Sequence, residues 1–214
     1  MQRHMTRRPH QAGARGAALV VVLFLLVAIL LLGASAAQLA LQGEKAARGE
    51  RDWQIAFQAA EEALMDAEND IEGKPGHPGA PGRGAMFAPD SALGFVDGCG
   101  AGANNVALGL CLQPATGAPA WQRIDFNNID ADTTRSVPYG KFTGALMPTG
   151  QGFQACRPPR YIIELLSYTR EGEQAGPQAR YFYRITASGF GARDGSQVVL
   201  QSVYRKLPPA GSLE

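Results

Sequence analysis

The chain has 214 residues, 45% of them hydrophobic and 18% charged, with a formal net charge of +1. These values exclude a disordered acidic tail and a strongly basic nucleic-acid binder, and the length suits one domain with attachments. With Gly 26 and Pro 14, the folded part is expected to be rich in loops.

The first sixteen residues carry Arg3, Arg7, Arg8 and Arg15 and no acidic residue. Without these four arginines the balance falls from +1 to −3. A chain beginning after Gly16 is therefore mildly acidic, which argues against nucleic acid as a partner of the remainder.

From Ala17 to Ala37 there is no charged residue, and 21 residues at about 1.5 Å each reach roughly 31 Å as a helix, enough to cross a bilayer core. A helix buried in a soluble domain is the plain alternative. A removable secretory signal is another, with Ala34-Ser35-Ala36 as its cut site, although the apolar stretch is longer than such signals use. The arginines precede this span, and the first acidic residue of the chain is Glu44. The positive-inside rule then predicts a cytoplasmic N-terminus and a translocated C-terminal part, periplasmic in a bacterium with two membranes.

Past the span, residues 38–72 contain no proline, and Trp53, Ala56, Phe57, Ala60, Leu64, Ala67 and Ile71 recur at steps of three and four. Glu61, Glu62, Asp66, Glu68 and Asp70 are assigned to the other, solvated faces, and Glu44 with Arg48 forms a favourable i,i+4 pair. Gly73-Lys74-Pro75-Gly76 ends the pattern. One helix is therefore expected over 17–72, on the order of 84 Å long, with a leader over 1–16 and a head over 73–214.

Residues 73–84, GKPGHPGAPGRG, read as a stiff polyproline-like linker with His77 solvated. Residues 85–160 show little regular pattern. Cys99, Cys111 and Cys156 all follow the apolar span, on the side expected to be oxidising. The 12-residue step from Cys99 to Cys111 suits a loop-closing disulfide, with Cys156 left over; three reduced, packed thiols are the alternative, and no histidine lies near enough to suggest zinc. Asp125, Asp130 and Asp132 lie in a segment lacking the glycine and terminal glutamate of a calcium loop, so a solvated acidic turn is expected. Strands are expected over 161–168, 179–188 and 197–206, where apolar residues alternate. Turns at Gly172 with Gly176-Pro177, and at Gly189 to Gly195, would make them an antiparallel meander able to receive the helix. The fold class is α+β.

No HExxH, GxSxG or Walker A pattern occurs, and the histidines are His4, His10 and His77 alone. Enzymatic chemistry is not expected, and neither a cofactor nor a metal is indicated.

Several stretches together carry a resemblance. They are the basic leader ending in Arg15-Gly16 before a retained apolar helix, the block Phe57-Gln58-Ala59-Ala60-Glu61-Glu62-Ala63-Leu64, the stretch Gly109-Leu110-Cys111-Leu112 followed by Trp121, and Arg160-Tyr161-Ile162-Ile163-Glu164. With these the chain resembles the type IV prepilins, and within them the PilX group of minor pilins.

The resemblance implies a pilin-like head and cleavage by a prepilin peptidase after Gly16, with Ala17 as the methylated new N-terminus. It also implies a helix that leaves the inner membrane for a filament. Other major and minor pilins become partners through that helix, with an adhesin at the pilus tip as a further one, and twitching, adhesion or aggregation as the resulting behaviour. Most major pilins carry a glutamate at the fifth mature position, where this chain has Val21. That departure points away from the shaft, towards a priming or tip-side subunit. A type II secretion pseudopilin shares the fold and processing, and an uncleaved single-span periplasmic binding module is the alternative of another class.

Overall fold

The computed structural model describes residues 15–88, 90–150, 152–168 and 180–207. Most of the leader, and the turn at Gly172 and Gly176-Pro177, lie outside the described residues. The chain falls into two compact units that divide at Gly49 and Glu50, inside a single long helix.

That helix, α1, runs Arg15–Glu72, 58 residues without a proline. Its end is built from Gly73, at φ 68°, where the Gly73 amide bonds Asp70 O at 3.1 Å and the Lys74 amide bonds Asn69 O at 2.9 Å. This pair of bonds is the Schellman pattern, in which a left-handed residue lets the chain fold back onto the last free carbonyls.

In the second unit, residues from Glu50 onward pack on one sheet. Its elements are β1 (Leu110–Leu112), the short helix α2 (Ala120–Arg123), β2 (Val137–Pro138), β3 (Arg160–Tyr168), β4 (Arg180–Phe190) and β5 (Gln197–Tyr204). β3, β4 and β5 form an antiparallel meander. β1 lies parallel to β3 at Ile163 to Leu165, and β2 antiparallel at Arg160 and Tyr161, so the sheet is mixed. The architecture is α+β and pilin-like, with the alanine-bearing part of α1 after Glu50 on a mainly antiparallel sheet.

The ends of two strands, and the presence of two others, differ from the sequence expectation. β4 runs on through Gly189 and Phe190, paired with Val198 and Gln197, and the tight turn is confined to Gly191–Ser196. β5 stops at Tyr204, and Lys206 instead donates from Nζ to Ile71 O at 2.7 Å and Gly84 O at 2.9 Å, capping the end of α1. β1 and β2, only three and two residues long, were not expected at all.

Register explains the core. Tyr161 stands opposite Ala187, Ile163 opposite Ile185 and Leu165 opposite Tyr183, so one face of β3 and β4 is continuously apolar. Ala63, Ala67 and Ile71 of α1 join that face, together with Phe87, Phe95 and Phe142. The alanines let helix and sheet approach closely. At Gly189 a Cβ would lie 2.0 Å from Ala56 O and 2.4 Å from Ala60 N, so backbone meets backbone there.

The opposite face of the sheet is covered near β1 by Phe126, Ile162, Phe190 and the disulfide Cys99–Cys111. Glu164 of β3, fully buried, accepts from Arg184 at 2.9 Å and from the Ala120 amide at 2.9 Å. It therefore supplies an acceptor at the start of α2, where the preceding residue, Pro119, provides no side-chain cap.

Candidate functional site: an exposed apolar helix and a polar clamp

The part of α1 up to Gly49 presents its side chains outward. Every large apolar residue from Leu19 to Leu32 is at least 47% exposed, and only Ala28 is half-buried. A soluble monomer seldom leaves more than a few hundred Å² of continuous apolar surface uncovered, because each Å² in water costs roughly 25 cal/mol. This surface calls for lipid or other apolar helices, and the helix is long and apolar enough to cross a membrane. Its one hydroxyl in this stretch is already satisfied, with Ser35 Oγ donating to Leu31 O at 2.9 Å. Gly33 has open space where a side chain would be, a place for another helix to come close.

Ala17 and Val21 both lie exposed on this segment, and Gly16 belongs to the same helix. Val21 is 57% exposed, so its lack of a carboxylate is a property of the outer surface. Glu44 and Arg48 form an exposed ion pair one turn apart.

The part of α1 from Glu50 onward does the reverse. Asp52, Asp66 and Asp70 are buried together with Ala56, Ala59 and Ala63, whereas Trp53 is 49% exposed and stacks on Phe57 at 5.2 Å. This corrects the expected pattern, in which Asp66 and Asp70 faced solvent and Trp53 faced the core. The signal was present in the sequence. Positions 52, 56, 59, 63, 66 and 70 form one ladder of alternating steps of four and three, but reading charge as exposure hides it.

Each buried carboxylate is satisfied by a different part of the head. Asp70 accepts from Arg83 Nε at 3.1 and 3.0 Å, from Arg83 Nη2 at 2.7 Å and from the Tyr161 hydroxyl at 2.8 Å. Arg83 also donates to Val106 O at 2.8 Å and Leu108 O at 2.6 Å and lies 3.8 Å over the Phe142 ring. Both side chains of this pair are fully buried. The segment 73–84 is consequently not a free spacer: it carries Arg83 into the core, and the amides of Gly76 and His77 bond Thr143 O. His77 itself is exposed.

Asp66 accepts from the Thr143 hydroxyl and from the Gly140 amide at 2.8 Å. Burial raises its pKa, the two hydrogen bonds partly offset that, and the nearby Asp70 charge adds to the rise. Asp52 accepts from the Ala192 amide at 2.7 Å, the Arg193 amide at 3.2 Å and the Ser196 hydroxyl. Burial opposes its charge, but those bonds and the Arg193 charge outweigh it and hold its pKa below the usual value.

The remaining candidates are local. Asp125 accepts from the Asn127 amide, and Asp130 accepts from the Asp132 and Thr133 amides and the Thr133 hydroxyl, which hold the Asp130 pKa down. These oxygens thus organise their own exposed turn. Cys156 is a free, half-buried thiol beside Asp194, and its pKa is raised by burial and by that carboxylate. Among the described residues, no three metal-ligating side chains cluster.

Comparison with known proteins agrees with this architecture. Residues 15–64 match the family model described as PilX N-terminal, and residues 107–206 match that described as type IV pilus assembly protein PilX C-term. No curated protein and no solved structure gives a significant match. The two models describe the two ends of one kind of protein and together take in more than half of this chain: apolar helix, its head-docked continuation and the sheet. The chain belongs to the PilX family of type IV pilus assembly proteins, and is a minor pilin, a structural component of the pilus that associates with other pilins.

Proposed function

We propose that the chain is made as a prepilin, inserted in the inner membrane with its N-terminus cytoplasmic and its head periplasmic, and cut after Gly16 by a prepilin peptidase. Ala17 then becomes the methylated N-terminus, and the subunit passes sideways from lipid into the filament. The observation that carries this is the exposed apolar stretch from Leu19 to Leu32. A helix that is apolar on all sides can exchange lipid for neighbouring helices at little cost, with small residues such as Gly33 and Ala36 permitting close packing. The leader arginines, all before the span, support the orientation.

Val21 supports a priming or tip-side place. A subunit with none ahead of it has no neighbouring N-terminal amine to neutralise, so an apolar residue costs nothing there. Pilus-dependent twitching, adhesion or aggregation would follow from that role, with other pilins and an adhesin as partners.

N-terminal sequencing of the mature protein tests the scheme directly. A methylated Ala17 is expected, and a mature chain starting at Met1 or Met5 would sink it. Val21→Glu should leave cleavage intact while changing pilus number or the amount of subunit incorporated; no change in either removes the support for a tip-side place.

A further inference from the structure

The exposed side of α1 beyond Glu50 forms one wall of a groove of about 670 Å³, whose other wall carries Met147, Pro148 and Phe153. Its lining includes Glu61, Glu62 and Glu68 and no lysine or arginine. Among the described residues none of these carboxylates takes part in an ion pair or accepts a hydrogen bond, in contrast to Asp52, Asp66 and Asp70 on the buried side of the same helix. The groove is also greasy. Met65 is 59% exposed and Phe153 78%, and Leu146 beside Met147 is 91% exposed. Arg51 lies over the Phe153 ring at 4.9 Å.

Apolar surface and uncompensated carboxylates in one groove match a partner that brings methylenes and positive charge together, and long cationic side chains on a helix do both at once. We infer that this groove receives a helix segment of a neighbouring pilin that carries lysine or arginine beside aliphatic residues. The inference rests on the pilin reading above. Charge complementarity favours this occupant, and this chain's own α1 shows the type. Leu41, Lys45 and Arg48, at steps of four and three, share one exposed face. On the receiving side Glu61, Met65 and Glu68 follow the same steps. Seven residues separate the first and last member of each set, so the two ladders have equal rise, about 10 Å. Paired alongside in parallel, Arg48 stands opposite Glu68 and Lys45 opposite Met65, its methylenes against the thioether and its ammonium within reach of Glu61 or Glu68 one turn away. Such contacts discriminate among neighbours by charge, whereas the uniformly apolar stretch near Val21 cannot.

The test uses the full chain in cells that assemble pili. A photo-reactive p-benzoylphenylalanine in place of Met65 should give a light-dependent adduct with a pilin, through a peptide containing lysine or arginine. Combining it with Glu61→Lys, Glu62→Lys and Glu68→Lys should lower the adduct at least fivefold, with subunit amount and the Cys99–Cys111 bond unchanged. No adduct, an adduct with a protein other than a pilin, or an equal yield after charge reversal overturns the inference. The same photo-reactive residue in place of Phe24 separates the two readings. Adducts with pilins from position 24 and none from 65 remove the groove alone, and silence at both positions removes the filament reading as well.

Discussion

The two parts of α1 are continuous and both rich in small or aliphatic residues, yet they treat their side chains in opposite ways. Up to Gly49 the large apolar groups face outward; from Glu50 the alanines face inward and carry Asp52, Asp66 and Asp70 with them. Apolarity on every side has no internal partner to choose, so it suits any apolar surroundings. Buried carboxylates need donors at fixed places, so they specify one partner, the chain's own head. One part of the helix is thus open to any apolar partner, and the other is committed to a single one, which gives it permanence.

The largest expected break in that contrast is Asp70→Ala. It leaves Arg83 charged and buried with no carboxylate and removes the acceptor of Tyr161, so the head should lose about 3–5 kcal/mol. Urea unfolding of the full chain in detergent checks this. Phe24→Ala, on the exposed part, should leave head stability within about 0.5 kcal/mol in the same assay. Equal losses would mean that the two parts do not differ as described.

A smaller effect is expected from Gly189→Ala. The added methyl has no room between β4 and the helix backbone, and overpacking of this kind costs about 1–3 kcal/mol. An unchanged midpoint would show that α1 can move away from the sheet. Then the permanence attributed to this part would be overstated.

The smallest effect concerns acid. The folded pKa of Asp66 is raised, so its protonation favours the folded state, and its contribution falls as pH rises through that folded value. Asp52 acts in the opposite sense, since its lowered pKa gives stability that is lost as pH falls through its folded value. Asp66→Asn should therefore remove a component that grows on acidification, making stability fall more steeply from neutral to mildly acidic pH. A midpoint series against pH measures it, and a shallower fall would contradict the assignment.

Much of the fold was legible from local pattern. A run of 21 uncharged residues, and a further 35 without proline, can only be accommodated easily as helix. The alternation through Tyr161, Ile163 and Leu165, and again through Tyr183, Ile185 and Ala187, marks strands because each needs one apolar face. β1 and β2 left no such trace. Two or three residues carry no period, and these pair only because β3 offers a free edge.

The polar clamp was legible only in part. Asp66 and Asp70 occupy the alanine ladder, but a carboxylate at such a position is worth burying only if donors arrive from elsewhere. Arg83 comes from thirteen residues away in sequence and Tyr161 from ninety-one.

By itself the sequence determined an apolar helix, its prolongation past the span, the stop at Gly73 and the strands of the meander, because each depends on residues near in the chain. Only the tertiary structure decided which face of the prolonged helix is inside, that Arg83 belongs to the core, and that Glu61, Glu62 and Glu68 line a groove. Those outcomes depend on which distant groups can satisfy a buried charge, and spacing along the chain does not contain that information.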